Sequence, residues 1–457
     1  MVDLLFYDSA AATRAASHMD IESDFSLLIT AVPEGTPIYL EGHTPAEFWF
    51  DFGVYIGLNW RDPTRRQYAY TALGFANFIG SRGTPVAEVV EPDLIEYRQK
   101  RVDEDLLSPS SWSTEATVIR LIFDYAIERE LIKRRPWIDV GRRNAVSQPN
   151  RTQAEARALT PEEWRAFRDV GLLGRDEHGR PDTSFMGKHS LRNAAGAQVA
   201  LATGLRVCEF HSLLTTEVEG APDQWGGVHV AMEECAKGRR PRTIYLPGLA
   251  RRAVLEYIAT ERAALISRRP KRVLARTDDL FVVDPKQSSA THFTGTLYGR
   301  RITRRVADLG PALRRRTYLR TEHGLEPAAL FVNAFGRMTS KSTWHRVFNA
   351  ASARVAGVGS LPSAAADVQP HVLRHSFARM MLAFLSEMRS DNPDEYGGID
   401  PLVEVQRMLG HASLTTTSIY LESDRMGGEV EEAFAAWTET ADYGSLIASW
   451  LPGRWLK

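Results

Sequence analysis

The chain has 457 residues, 44% hydrophobic and 25% charged, enough for two to three domains at roughly 150 residues each. Cys208 and Cys235 cannot build a disulfide framework and suit a reducing cytoplasm. No apolar run reaches the roughly 18 residues of a bilayer span, and the start MVDLLFYDSA lacks the basic residues of a secretory signal, so a cytoplasmic protein without membrane contact is expected.

Fifty-six Lys and Arg against 57 Asp and Glu give a net charge of -1, which taken whole is no footprint for a polyanion. Segment by segment the balance is a cancellation. Residues 1–60 hold one basic and nine acidic residues, whereas residues 237–320 hold 21 basic and six acidic ones, a net of +15. A stripe of that density is the electrostatic mark of a polyanion-binding face.

Residues 1–43 mix small, acidic and apolar residues and read as an acidic N-terminal extension. From Thr44 to about 137 the periodicity is helical, with stripes at Phe48, Phe52, Tyr55 and Ile56, at Tyr70, Leu73, Phe75 and Phe78, and at Val118, Leu121, Ile122 and Tyr125. Ser111 or Ser113 is the expected N-cap of the third of these helices. Residues 138–158 lose the periodicity and gain Gly, Pro, Asn and Ser, which marks a linker. Thr160-Pro161 then opens a helix, Thr160 capping and Pro161 in the first turn. The remainder, 159–440, reads as mainly helical with one antiparallel β-hairpin, Val228 to Met232 and Thr243 to Leu246, whose tip is the basic Lys237-Gly238-Arg239-Arg240-Pro241. Residues 441–457 form a tail with exposed-looking Trp450, Leu451, Trp455 and Leu456.

Three segments carry chemistry. In Thr203-Gly204-Leu205-Arg206-Val207-Cys208-Glu209 a helix stops at Gly204 and another starts at Arg206, where guanidinium donors add to the amides of a helix N-terminus and favour a phosphate. Glu209, one turn on, is placed to hold that guanidinium. In Pro370-His371-Val372-Leu373-Arg374-His375-Ser376-Phe377, helical spacing puts His371, Arg374 and His375 on one face and Leu373, Phe377, Met380 and Phe384 on the other. In Leu409-Gly410-His411-Ala412-Ser413, Gly410 ends a helix opened by Asp400-Pro401, His411 stands at the junction, and Ser413 caps a short helix that projects Tyr420. Cys208, His211, His229 and Cys235 have the wrong order and separation for a zinc site, and no metal or other cofactor is expected.

Taken together, Arg206, His371, Arg374, His411 and Tyr420 in the segments TGLRVCE, HVLRHSFA and LGHASLTTTSIY resemble the tyrosine recombinase (phage integrase) family, and Lys237 matches its hairpin lysine. The resemblance covers roughly residues 159–425. It implies a mainly α catalytic domain with a small antiparallel sheet, preceded by a helical core-binding domain at 44–137 with which it clamps DNA. It further implies that Tyr420 attacks the scissile phosphodiester to give a 3′-phosphotyrosine without metal or ATP. Arg206 and Arg374 would hold the non-bridging oxygens, Lys237 would protonate the leaving 5′-oxygen, His371 would assist proton transfer, and His411 would orient the phosphate. Glu209 and His375 would support these groups.

The expected partners are double-stranded DNA recombination sites and further copies of the chain, a dimer per site and a tetramer in synapsis, with accessory factors and the 441–457 tail docking on a neighbouring protomer. Arg239, Arg240, Arg242, Arg300, Arg301, Arg304 and Arg305 are the expected DNA contacts. Two stretches depart from compact members of the family: the long basic run after the hairpin, and an insertion at 386–399. A type IB topoisomerase, a telomere resolvase and a catalytically silent DNA-binding protein of the same fold remain the alternatives.

Overall fold

The computed structural model describes residues 1–8, 32–139, 144–147, 158–224, 226–236, 240–268, 279–391 and 393–411. The chain divides into two compact units, Met1–Ala154 and Glu155–Lys457. Helices dominate both, with small and largely antiparallel sheets. No helix of the described residues is long and apolar enough to cross a membrane.

In the first unit, strand β1 (Val2–Phe6) pairs antiparallel with β2 (Pro37–Glu41), and β2 with β3 (Thr44–Pro45). The stretch expected to be a bare extension therefore supplies a sheet. Its alternation is too short, and too broken by acidic residues, to stand out in the sequence. Four helices follow: α1 (Glu47–Asn59), α2 (Thr64–Gly80), α3 (Glu91–Gln99) and α4 (Pro109–Glu128). Gly53 lets α1 lie directly on β2, since a Cβ there would come within 2.9 Å of the Tyr39 ring. Trp49, Phe52, Phe75, Tyr97, Trp112 and Phe123 fill the core between sheet and helices. Two expectations shift. Tyr70, assigned to the inner stripe of α2, is 59% exposed and packs instead against Phe6. Helix α4 starts earlier than expected, because Pro109 fits its first turn and Ser108 accepts the Ser111 amide at 3.3 Å.

The second unit opens at α5 (Pro161–Arg165), where Thr160 and Glu163 form a reciprocal capping box with bonds of 3.2 and 2.8 Å. Helix α6 (Ser190–Thr203) runs through the middle of the core, flanked by α7 (Val207–Phe210), the hairpin β4 (Val228–Met232) and β5 (Arg242–Leu246), and α8 (Gly248–Tyr257). Helices α9 (Lys341–Ala356), α10 (Pro370–Asp391) and α11 (Pro401–Leu409) complete it. Leu205, Phe210, Ile244, Trp344, Leu373, Phe377 and Leu409 meet in this core. Helix α10 extends through half of the 386–399 insertion rather than ending before it.

The basic run after the hairpin holds more β-structure than the single hairpin expected. Strands β6 (Phe281–Val283), β7 (His292–Leu297), β8 (Arg300–Arg305), β9 (Thr317–Thr321) and β10 (Gly324–Pro327) form a five-stranded sheet in the order β10-β9-β6-β7-β8. Only the β6–β9 pair is parallel. A separate apolar cluster of Leu214, Phe281, Val283, Phe293, Val306 and Leu309 seats the sheet on the unit. Its edge strand β8 reads RRITRR with Ile302 alone half-buried, so the period of two is hidden beneath arginines.

Candidate active site

The site is built where two backbone turns meet helix α10 and the start of β5. Gly204 ends α6 in the left-handed region at φ +63°, and a Cβ there would collide with Phe377 and fall 2.9 Å from Leu409. This close approach joins the 204–209 turn to α10 and to the end of α11. Gly410 ends α11 the same way, at φ +64°, and delivers His411 beside Arg374. A Cβ on Gly410 would lie 3.1 Å from an Arg242 nitrogen, so the start of β5 borders the same space.

Arg374 is the centre of the arrangement. It is 4% exposed. Its Nη1 donates to the Gly204 carbonyl at 2.6 Å, and its Nη2 donates to the Leu409 carbonyl at 2.7 Å and to His411 Nε2 at 2.9 Å. One guanidinium thus ties together all three signature segments. The His411 carbonyl is fixed in turn by Arg240 Nη1 at 3.2 Å and Gln406 Nε2 at 3.3 Å.

Arg206 begins α7, and Glu209 one turn later is completely buried. Glu209 accepts from the Arg206 amide at 2.9 Å and from Arg206 Nη1 at 3.3 Å. The same carboxylate accepts a two-pronged bond from Arg242, at 3.2 and 2.7 Å. Arg242 was expected to contact DNA, but its side chain is only 6% exposed and is spent on this carboxylate. It lies on the inward face of β5, in step with Ile244 and Leu246, and that alternation is the signal that could have revealed it.

The electrostatics follow from this crowding. Burial, and then the charges of Arg374, Arg206, Arg242 and His375, hold His411 down to about 3. Burial and the charges of His371, Arg374 and Arg379 hold His375 down to about 4. His371, one turn earlier, is exposed and meets the His375 ring edge-on at 5.8 Å. Partial desolvation by the surrounding protein lowers it too, as does the charge of His345, against the raising effect of Asp367. Guanidinium donors, with Glu209 holding two of them in place and neutral imidazoles beside them, are arranged to receive an anion.

The other expected residues divide. Lys237, Arg239 and Tyr420 lie outside the described residues, as does the 441–457 tail. Arg300, Arg301, Arg304 and Arg305 line the exposed edge strand β8, where Arg305 is paired with Glu233 and Asp308. Arg314, counted in the basic stripe, is buried: it donates to the carbonyls of Leu309, Val306 and Ser212 and pairs with Glu217 at 2.7 Å.

No protein-family model matches the chain. Among curated proteins it is similar to tyrosine recombinase XerD of Mycobacterium tuberculosis, 42% identical over 98 residues, which cover 21% of this chain and 24% of that one. XerD of Mycobacterium leprae is 40% identical over 97 residues, again 21% and 24%. XerC of Shewanella putrefaciens is 37% identical over 99 residues, 22% and 26%. The chain thus spans about a quarter of the length of the curated relatives it matches. Among solved structures, a XerH site-specific recombinase bound to its difH substrate aligns over 82% of this chain and 79% of that one at 17% identity, TM-score 0.47. A lambda integrase dimer bound to a core site aligns over 83% and 96% at 13% identity, TM-score 0.44. The signature residues of three segments gather on one guanidinium, and over about a fifth of its length the chain is similar, at 37–42% identity, to the tyrosine recombinases XerC and XerD.

Proposed function

We propose that the chain is a site-specific DNA recombinase that cuts and rejoins strands through a covalent tyrosyl phosphate, in the service of a mobile element. The observation that carries this reading is the Arg374 fork, which binds the Gly204 turn, the Leu409 carbonyl and His411 into one preorganised anion site. A phosphodiester seated there meets Arg374 and Arg206, whose positive charge offsets the negative charge that grows on the phosphoryl oxygens. Removing one such donor typically costs about 10²–10³-fold in rate.

In the reaction, the Tyr420 oxygen attacks phosphorus and the bond to the 5′-oxygen breaks, leaving a 3′-phosphotyrosine and a free 5′-hydroxyl. Lys237 gives that oxygen its proton. The bond energy is retained in the phosphotyrosine, so a second hydroxyl attacks and rejoins the strand without ATP. A tyrosine hydroxyl with an ordinary pKa near 10 needs a cationic site of this kind to ionise at neutral pH. His371 assists the proton transfer, and His411 orients the phosphate.

The helical first unit is read as the core-binding half and the second as the catalytic half, with the exposed β8 arginines adding phosphate contacts. Double-stranded recombination sites, a dimer on each site and a tetramer in synapsis complete the proposal. The test is a nicked suicide duplex carrying the ends of the element. The wild-type chain should form a covalent adduct that resists denaturant, and Tyr420→Phe should bind the duplex but form none. Failure of the wild type on correct ends, or an adduct that survives Tyr420→Phe, refutes the assignment.

A further inference from the structure

A polar cleft lies in the second unit, between the five-stranded sheet and the start of helix α9, and the proposed strand-transfer chemistry makes no use of it. It encloses about 410 Å³ and is lined by His211, Thr339, Arg315, Arg316, Arg337 and Asp279, among others. His211 follows α7 directly and is 3% exposed, and Thr339 is fully buried. His211 and Thr339 both line this space, and the His211 Nδ1 and the Thr339 hydroxyl are shielded atoms without a hydrogen-bond partner among the described residues. Two buried polar atoms left unpaired within one cleft are costly unless something binds there.

The surrounding charge says what. Arg315 is exposed and has no ion pair among the described residues, while Arg316 donates to the Tyr298 hydroxyl at 2.7 Å. Arg337 closes the cleft from a tight turn that Asn333 holds by accepting the Phe335 and Arg337 amides at 2.9 and 3.1 Å. Lys341 begins α9, a helix of 16 residues capped by Ser340. Burial and the charges of Lys341 and Arg315 hold His211 down to about 4, so at neutral pH the ring is uncharged. Asp279 is the only carboxylate among the lining residues. Three guanidiniums, an ammonium, a hydroxyl and a helix N-terminus around buried unpaired atoms match a tetrahedral oxyanion.

We propose that this cleft binds a phosphate group, with Arg315 and Arg337 pairing its charge and the Thr339 hydroxyl bonding one of its oxygens. The phosphate is either that of a free small molecule or one in a DNA backbone remote from the scissile bond. The inference does not rest on strand transfer: a Tyr420→Phe chain is expected to bind the same group.

The test uses the full chain with two probes, inorganic phosphate at constant ionic strength and a short duplex of arbitrary sequence. Phosphate should raise the thermal midpoint of the wild type and of Arg300→Ala. It should do so no longer in Arg315→Ala, and Thr339→Val should need about tenfold more phosphate for the same shift. Thr339→Val serves as the folding control, because losing an unpaired buried hydroxyl leaves the phosphate-free protein at least as stable.

Loss of the phosphate response with unchanged duplex affinity in Arg315→Ala/Arg337→Ala assigns a free phosphate. A salt slope of duplex binding shallower by about one or more in that variant, with weaker binding also in Thr339→Val, assigns a backbone phosphate. A phosphate shift that survives in Arg315→Ala and Thr339→Val overturns the proposal. So does a wild type that answers to neither probe through these residues.

Discussion

Glu209 offers the sharpest test of how the site is held together. It is fully buried and, among the described residues, accepts two hydrogen bonds from Arg206 and two from Arg242. Glu209→Gln keeps the shape but removes the charge and turns one acceptor into a donor facing guanidiniums. Arg242, with 6% of its side chain exposed, then holds a buried charge with no counter-ion, a loss of about 3–5 kcal/mol. Arg242→Met alone leaves Glu209 with its two Arg206 bonds and should cost about 2–3 kcal/mol, since a charge-assisted bond contributes ~1.5–3 kcal/mol. The double variant removes both buried charges, and Arg206 is exposed enough, at 22% of its side chain, to be solvated instead. Its loss should fall short of the sum by about 2 kcal/mol, within the range for residues in direct contact. The assay is hydrogen exchange of peptides from α6 in a denaturant series, which reads the free energy of the second unit regardless of the first. Single losses that simply add, within about 0.5 kcal/mol, would refute the coupling.

Four further outcomes follow from the same geometry. Gly204→Ala places a Cβ against Phe377 and Leu409 at positive φ and should destabilise the second unit by more than about 2 kcal/mol, as read by the same exchange measurement. His211 and His411 are held to about 4 and 3, below the ~6.5 of an unfolded chain. Protons therefore bind the unfolded state first: their contribution is complete above about pH 6.5 and is lost as pH falls towards those values. At pH 5 each has lost up to about 2 kcal/mol, and His411→Asn should flatten the fall in thermal midpoint between pH 7 and 5, whereas an unchanged profile would contradict the burial argument. Finally, Arg300→Ala/Arg301→Ala/Arg304→Ala on the exposed edge strand should leave the midpoint within about 2 °C and lower the salt slope of DNA binding by up to about 3. Arg314→Ala, by contrast, strips a buried guanidinium from Glu217 and should cost about 3 kcal/mol or more.

The described part of the candidate site was legible because its residues are set by local rules. Gly204 and Gly410 end helices in the left-handed region, and Arg374 shares a helical face with His371 and His375, so their neighbourhood follows from spacing alone. Arg242 was misread because its role is tertiary. Charge and position beside a basic hairpin tip pointed to solvent, and only the register of β5 turns it inward onto Glu209. The same limit hid the five-stranded sheet: β8 is an edge strand whose side chains answer to solvent rather than to a core. Arg314 shows the converse. Three arginines in a row read as one stripe, yet the middle of the packing takes the first of them and leaves Arg315 outside.

The Arg374–His411 contact also fixes a proton. Arginine donates and never accepts, so His411 Nε2 is the acceptor of the 2.9 Å bond from Nη2, and the neutral imidazole carries its hydrogen on Nδ1. The ring has little freedom to choose otherwise, because Arg240 and Gln406 hold the His411 carbonyl. A hydrogen bond from His411 to a phosphoryl oxygen therefore comes from Nδ1–H, unless Arg374 releases Nε2 when the phosphate enters. The second course has a driving force. An incoming anion offsets the Arg374, Arg206 and Arg242 charges that hold the imidazole down, which raises its proton affinity while giving Nη2 a better acceptor. Nitrogen-15 spectra of the DNA-free chain should show the Nδ1–H tautomer throughout pH 5 to 8. Binding of a duplex to the Tyr420→Phe variant should move the His411 titration upward. A DNA-free protein protonated at Nε2 would mean that Arg374 does not hold this ring, and with it would fall the argument that one guanidinium organises the three segments.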